Sequence, residues 1–162
     1  MARLKQQYDS DGYFGIGIFH SAEEQNIGTL WRSAYILGAS FIFTIGRKYR
    51  KQSSDVTKAW SRIPLYYYED FDEFKKSIPY SSAIVAVEMT DTAVPLESFE
   101  HPKRAVYLLG NEADGLPPTV VSQCHKTVVI PGDYSLNVAV AGSIIIYDRG
   151  TKVKTSLPGR PG

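Results

Sequence analysis

The sequence predicts one α/β domain with a mainly parallel β-sheet. Short apolar runs typical of buried strands alternate along the chain with segments whose apolar residues recur at helical spacing. The chain has 162 residues, enough for a single domain with a substantial core, and it contains no internal repeat or interior linker. We therefore expect one domain over residues 1–150, followed by a disordered basic tail rich in Pro and Gly over residues 151–162.

The first half of the chain predicts three strands and two helices. The strands are expected over residues 13–19, 39–45 and 64–68. Asn26 is predicted to be the N-cap of an amphipathic helix that ends at Gly38. Asp70 introduces a shorter helix over residues 71–76, and a helical turn is expected near residues 56–60.

The second half predicts three more strands and two more helices. The strands are expected over residues 83–87, 105–109 and 127–130. The Pro-Pro pair at residues 117–118 suits the first turn of a helix that runs to about Cys124. A long, mostly apolar helix is expected over residues 136–148, with Ser135 as its cap. Small side chains at residues 139–143 would let another segment or subunit pack closely against that helix.

The composition is that of a soluble globular protein, with 43% hydrophobic and 22% charged residues. No apolar run approaches the roughly 18–20 residues that a membrane span needs. Residues 1–7 are polar and contain no apolar core of a signal peptide. Cys124 is the only cysteine, which excludes an internal disulfide and favours a reducing, cytoplasmic setting without membrane association.

The formal net charge is only +1, so binding to nucleic acid would depend on local basic patches. One candidate patch for RNA is a short basic run: Arg47, Lys48, Arg50 and Lys51. Taken alone, such a run is more often a solvated loop. A second basic stretch covers residues 149–154. No metal is expected, because the three histidines and Cys124 have no recognisable ligand spacing.

Two segments stand out near the predicted carboxyl ends of strands, where α/β sheets bind ligands. In the helix that begins at Asn26, Gly28 and Arg32 share one face, and the glycine would leave space beneath the guanidinium. Alone, this pattern also fits an ordinary amphipathic helix with a surface arginine. In residues 109–117 (LGNEADGLP), two glycines would let backbone groups approach a ligand closely. Alone, this segment also fits a plain strand-to-helix turn.

A third segment covers residues 130–143 (IPGDYSLNVAVAGS). Asn137 lies at the start of an otherwise small and apolar helix, and a buried asparagine there requires hydrogen-bond partners. Alone, this segment also fits an ordinary core helix.

In order and spacing, the three segments together resemble the SpoU (TrmH) class of the SPOUT methyltransferase superfamily. The signatures of that class are an N-x-G-x-x-x-R-x-A helix, a G-N-E-x-x-G-L loop and an I-P…S-L-N-V helix, and the resemblance spans about residues 13–148. The family commonly has a longer loop between the Ile-Pro and the Ser-Leu-Asn. Here only residues 132–134 intervene, so the contact of this loop with a ligand is expected to differ.

The resemblance implies a Rossmann-like sheet whose C-terminal part forms a deep trefoil knot. It also implies a homodimer with the active site completed across the subunit interface. The methyl donor implied is S-adenosylmethionine (AdoMet), held by the following residues: Gly110, Asn111, Ile130 and Leu136.

The implied reaction is attack by a ribose 2′-hydroxyl of tRNA or rRNA on the sulfonium methyl group, without a metal. The residues implied at the catalytic centre are Arg32, Asn26, Glu112, Ser135 and Asn137. A guanidinium group very rarely gives up a proton, so Arg32 would be a poor base. We expect Arg32 instead to hold the ribose-phosphate and to stabilise the developing alkoxide. In this context the basic run at residues 47–51 becomes a candidate contact for RNA phosphates.

Two other hypotheses compete with that of an RNA methyltransferase. Gly15 and Gly17 form a G-x-G pair that superficially suits a dinucleotide-binding fold, but the third glycine is missing and no helix opens at once. A non-enzyme reading is an RNA-binding or assembly protein that keeps the fold without activity, and the short loop at residues 132–134 is the feature that favours it.

Overall fold

The computed structural model describes residues 12–49 and 62–153 of the chain. Within these ranges, seven strands form one sheet: β1 Tyr13–Phe19, β2 Phe41–Ile45, β3 Leu65–Tyr68, β4 Ala83–Val87, β5 Val94–Pro95, β6 Arg104–Leu109 and β7 Lys126–Val129. The strand order is β3-β2-β1-β6-β4-β7-β5, and every neighbouring pair is parallel. The predicted α/β class with a mainly parallel sheet is therefore confirmed.

Four α-helices accompany the sheet in the described residues: α1 Glu24–Ile36, α2 Phe71–Ser77, α3 Pro118–Val121 and α4 Val138–Lys152. None of them is long and apolar enough to cross a membrane. Two hydrophobic clusters fill the two faces of the sheet. One contains the buried residues of α1 and α4, and the other contains those of α2 and α3.

Most predicted elements are found within two residues of their predicted bounds, with three differences. The helix predicted to reach Cys124 ends at Val121. The edge strand β5 and the 3₁₀ turn Leu96–Ser98 were not predicted, because two or three residues are too short to show a periodic pattern. Helix α4 runs to Lys152 and so includes the start of the predicted tail. The rest of that tail and the helical turn predicted near residues 56–60 lie outside the described residues.

Asp70 introduces α2 as predicted, and its Oδ1 accepts a hydrogen bond from the Glu73 amide at 2.8 Å. The N-caps predicted for α1 and α4 are wrong. Helix α1 begins two residues before Asn26, which lies in its first turn and is buried. Ser135 does not cap α4, since Asn137 holds that position and its Oδ1 accepts hydrogen bonds from the Ala139 and Val140 amides at 2.9 and 3.2 Å. Asparagine and serine are about equally good N-caps. The sequence pattern alone therefore cannot choose between neighbouring candidates.

The G-x-G pair lies inside β1 and serves packing. A Cβ atom on Gly17 would lie 2.3 Å from the Phe43 carbonyl oxygen and 2.5 Å from its ring, and a Cβ on Gly15 would lie 2.3 Å from the Phe41 ring. The two glycines thus make room for aromatic rings on the adjacent strand β2. The dinucleotide-binding alternative does not fit, because these glycines form no phosphate-binding turn.

Replacing Gly17 by alanine is expected to destabilise the protein by about 1–3 kcal/mol, because the new methyl group overlaps a backbone oxygen that cannot move freely. Chemical denaturation with a two-state fit would measure the loss in free energy of unfolding. Gly132→Ala is the matched control, since its Cβ would meet nothing nearer than the Tyr134 carbonyl oxygen at 3.7 Å. Equal stability of the Gly17→Ala and wild-type proteins would contradict the packing argument.

Candidate active site

A cavity of about 380 Å³ opens at the carboxyl end of the sheet. It lies among the segments that follow β4, β6 and β7, which are neighbours in the order β6-β4-β7. The four residues predicted to bind a cofactor all line it: Gly110, Asn111, Ile130 and Leu136. Glu112 and Ser135 line it as well. The volume is within the roughly 300–1,000 Å³ typical of small-molecule sites.

The loop after β6 folds back on itself, and its glycines are required for that fold. A Cβ on Gly110 would lie 2.3 Å from the Gly115 carbonyl carbon, and Gly115 has a φ of +65°. The Asn111 side chain accepts hydrogen bonds from the amides of Ala113 and Asp114 at 2.9 and 2.7 Å. Asn111 therefore shapes this wall of the cavity from within the loop.

A chain of hydrogen bonds joins the three segments singled out in the sequence. Glu112 accepts a hydrogen bond from the Ala22 amide at 3.2 Å and another from the Asn26 side-chain amide. The Asn26 side-chain oxygen in turn accepts a hydrogen bond from Asn137 Nδ2 at 3.0 Å. Because Asn137 also caps α4, this chain fixes the starts of α1 and α4 against the loop after β6.

These contacts revise what the sequence predicted for the polar residues. Asn137 is exposed rather than buried, and its partners are Asn26 and the first amides of α4. Asn26 is the buried asparagine of the pair, with 6% of its surface exposed, and both ends of its amide are hydrogen-bonded. Ser135 is exposed on the rim of the cavity. The arrangement suits residues that position the loops around a ligand.

Arg32 lies apart from this chain of contacts. It is exposed on α1 and does not line the cavity, and its side chain has no hydrogen bond or ion pair within residues 12–49 and 62–153. The space predicted beneath its guanidinium is instead occupied by Tyr49, whose hydroxyl would lie 3.1 Å from a Cβ on Gly28. The Tyr49 ring also contacts Trp31 edge-on. Gly28 therefore accommodates an aromatic side chain from the loop after β2.

The basic run predicted to contact RNA divides into different environments. Arg47 is half-buried and donates hydrogen bonds to the backbone carbonyls of Ser21 and Ala22, just before α1. The Lys48 ammonium is exposed and lies 5.3 Å from the centre of the Tyr67 ring. Arg50 and Lys51 lie outside the described residues. Arg47 thus holds the segment leading into α1 in place. Of the two residues of the basic run that the structure describes, Lys48 is the exposed one.

The sequence motifs did not include the end of β4 and the residues after it, which contribute Val87, Glu88 and Met89 to the cavity lining. Glu88 is the first residue after β4. Because ligands bind beyond the carboxyl ends of parallel strands, its place directly after a predicted strand is the sequence signal that marks it.

The charged side chains among the described lining residues of the cavity are all negative. Three carboxylate side chains line it, those of Glu88, Glu112 and Asp114, whereas no lysine, arginine or histidine is among its described lining residues. Groups of three or more potential metal ligands are likewise absent from the described residues. Such a wall favours a ligand with positive charge and disfavours one with phosphate groups.

The chain is similar to RNA methyltransferases in both its family match and its sequence matches. The family model described as "SpoU rRNA Methylase family" matches residues 15–147. The chain is 26% identical over 136 residues to the mouse tRNA (guanosine(18)-2'-O)-methyltransferase TARBP1, a match covering 76% of this chain and 8% of that protein. It is 37% identical over 68 residues to the Aquifex aeolicus tRNA (guanosine(18)-2'-O)-methyltransferase, which covers 40% of this chain and 32% of that protein. The matches thus span less than a third of the length of these curated relatives.

Solved structures share the fold. The A. aeolicus TrmH/SpoU tRNA modifying enzyme superposes with a TM-score of 0.78 at 22% identity, covering 96% of this chain and 84% of that one. The SpoU methyltransferase AviRb from Streptomyces viridochromogenes, in complex with the cofactor AdoMet, superposes with a TM-score of 0.77 at 22% identity, covering 94% and 62%.

Proposed function

Since the chain belongs to the SpoU rRNA methylase family, we propose that it transfers a methyl group from AdoMet to a ribose 2′-hydroxyl of tRNA or rRNA. The observation that carries this proposal is the meeting of two family segments at one cavity whose described lining residues include no cation. The hydrogen bonds of Asn26 to Glu112 and Asn137 tie the third family segment to both. The names of the mouse and A. aeolicus relatives support tRNA, and that of an Acinetobacter baylyi relative, a 23S rRNA (guanosine-2'-O-)-methyltransferase, supports rRNA.

The cavity suits AdoMet better than a nucleotide cofactor. AdoMet carries a positive sulfonium, a positive ammonium and one carboxylate, so its net charge is positive. The carboxylates of Glu88 and Glu112 complement that charge and would repel a phosphate group. Backbone groups of Gly110, Ile130 and Leu136 are the hydrogen-bonding partners that we propose for the bound molecule.

Catalysis then depends mainly on alignment. Bound AdoMet supplies a methyl group already activated by its positive sulfur. The chain must hold the 2′-hydroxyl in line with that group, and such alignment accounts for much of the rate of comparable reactions. We assign to Asn26, Glu112, Ser135 and Asn137 the positioning of the loops that form the site. We assign to Arg32 the contact with the ribose-phosphate and the stabilisation of the developing alkoxide.

We further propose a homodimer in which Arg32 of one subunit reaches the cavity of the other. Arg32 lies away from the cavity of its own chain. Exposed apolar side chains recur along one face of α4 at Val140, Ile144 and Tyr147, with 46%, 38% and 46% of their surfaces exposed. Because α1 packs against α4, a partner seated on this face would also meet the exposed surface of α1.

We also propose a knotted chain and a cytoplasmic location for the domain. We propose that the segment after β6 forms a deep trefoil knot with the segment leading into α4, which is supported by their shared lining of one cavity. We also propose that the domain acts in the cytoplasm, as its single cysteine favours. The inactive RNA-binding alternative is not favoured, because Arg32, Glu112, Ser135 and Asn137 are all present.

The test is incubation of the protein with methyl-labelled AdoMet and, separately, unmodified tRNA and rRNA. Label in one RNA that makes the adjacent linkage resistant to alkali would establish ribose 2′-O-methylation and name the substrate class. Absence of label in both RNAs, together with absence of AdoMet binding in calorimetry, would contradict the proposal and favour the inactive relative.

A further inference from the structure

Glu88 lines the cavity between the segments that follow β6 and β7. It directly follows β4, the middle strand of β6-β4-β7. Its backbone amide donates a hydrogen bond to the Val128 carbonyl at 3.1 Å, which continues the pairing of β4 with β7. The backbone of Glu88 is therefore held in the sheet at the point from which its side chain reaches the cavity.

The Glu88 carboxylate holds the loop after β6 in place. One oxygen, Oε2, accepts a hydrogen bond from the Leu116 amide at 2.7 Å, and the other, Oε1, accepts one from its neighbour Met89 at 2.9 Å. A Cβ on Gly115 would lie 2.5 Å from Oε2, so the loop backbone packs directly on the carboxylate. Loss of this side chain would release one wall of the cavity.

These two hydrogen bonds leave part of the carboxylate's accepting capacity unused. An ionised carboxylate has about four lone-pair sites, and each Glu88 oxygen uses one. Within the described residues no cation forms an ion pair with Glu88. A half-buried carboxylate of this kind, in a cavity whose described lining residues include no cation, suits a ligand that donates two neighbouring hydrogen bonds.

We propose that Glu88 is a cofactor-binding residue whose free lone pairs accept hydrogen bonds from the adjacent 2′- and 3′-hydroxyls of the cofactor's adenosine. The inference rests on the proposed function, which supplies AdoMet as the ligand. A carboxylate with two oxygens fits a vicinal diol, and an acidic residue beyond a strand end binds ribose in this way in dinucleotide-binding sheets. One side chain would thus shape the binding loop and select a ribonucleoside.

The experiment compares wild type with Glu88→Gln, which removes the charge and converts one accepting oxygen to a donor. Calorimetry is expected to show AdoMet affinity reduced by about ten- to a hundred-fold, the range for hydrogen bonds to a charged group. Glu97→Gln is the matched control, because it makes the same substitution at an exposed residue that does not line the cavity. Its affinity for AdoMet is expected to stay close to that of the wild type.

A second measurement separates ribose binding from a purely structural role. Adenosine and 2′,3′-dideoxyadenosine compete with AdoMet for the wild-type site, and adenosine is expected to bind about ten-fold more tightly. In Glu88→Gln this preference should fall to near unity, whereas a residue that only supports the loop would weaken both nucleosides equally and keep the preference. A preference that survives in the variant would overturn the inference. A wild-type protein that does not bind AdoMet would instead overturn the proposed function.

Discussion

Replacing Arg32 by alanine is expected to reduce the rate of RNA methylation by about 10²–10³-fold, the typical cost of removing one group that stabilises a developing oxyanion. The fold should be unaffected, because the side chain is exposed on α1 and makes no hydrogen bond within residues 12–49 and 62–153. Single-turnover transfer of labelled methyl to RNA measures the rate, and the melting temperature monitors the fold. Affinity for AdoMet should change little, since we assign Arg32 to the ribose-phosphate of the RNA and not to the cofactor.

Two further variants define what Arg32 contributes. Lysine at this position keeps the charge but loses the planar pair of donors, so Arg32→Lys is expected to have an intermediate rate. Full activity of Arg32→Lys would show that bidentate geometry is not needed. Lys76→Ala, which removes one exposed positive charge from α2, is the matched control and should retain the wild-type rate.

Complementation tests whether Arg32 acts across a subunit interface. A homodimer of Arg32→Ala and a homodimer of Glu112→Ala are each expected to methylate RNA slowly. If the site is shared, a mixed dimer contains one site with both native side chains, so co-expression should restore roughly a quarter of the wild-type sites. A lack of recovery in isolated mixed dimers would place Arg32 and Glu112 in the same subunit's site.

The sequence predicted those parts of the fold that depend on local pattern. Strands β1 and β4 have their predicted bounds, because a strand buried on both faces is a continuous apolar run with clear ends. The N-cap at Asn26 failed because its side-chain partners, Glu112 and Asn137, are distant in the chain and adjacent only in the folded protein. Strand β5 is defined by its pairing with β7, which is distant in the chain. Its own two residues therefore carry no sequence pattern that predicts a strand.

The sequence also predicted part of the candidate site. The residues expected to hold a cofactor line one cavity, since the motifs that carry them follow neighbouring strands. Glu88 belongs to none of these motifs, and its contact with the distant Leu116 amide could not be predicted from the sequence. Arg47 looked like a free surface cation in the sequence, yet it is bound to backbone carbonyls near α1.

Arg149 is another basic residue whose environment the sequence concealed. It belongs to a basic stretch near the C-terminus, but only 4% of its surface is exposed. Its guanidinium donates hydrogen bonds to the carbonyls of Pro102, Lys103 and Tyr13 at 2.5, 2.6 and 3.4 Å, and to the Tyr107 hydroxyl at 3.1 Å. It therefore ties α4 to the amino-terminal ends of β1 and β6, far along the sheet from the cavity.

The groups around Arg149 form a chain that depends on their protonation states. Burial raises the pKa of Tyr107 to about 12, so its hydroxyl stays neutral and can donate to His101 Nδ1 at 2.7 Å. Burial lowers the pKa of His101 below its ordinary value despite the opposing effect of Asp148. A neutral His101 can then accept from Tyr107 at Nδ1 and donate from Nε2 to Asp148 at 2.7 Å. Every member of the chain is thereby satisfied.

Replacing Arg149 by methionine is expected to destabilise the protein by about 3–5 kcal/mol, because it removes one partner from a buried polar network and leaves several acceptors without donors. Methionine fills a similar volume, so the loss reflects the missing hydrogen bonds more than a cavity. Chemical denaturation would measure the change in free energy of unfolding. Lys103→Met, an exposed neighbour, is the control and should change stability by less than about 0.5 kcal/mol. A loss below about 1 kcal/mol for Arg149→Met would mean that water replaces the guanidinium at these carbonyls.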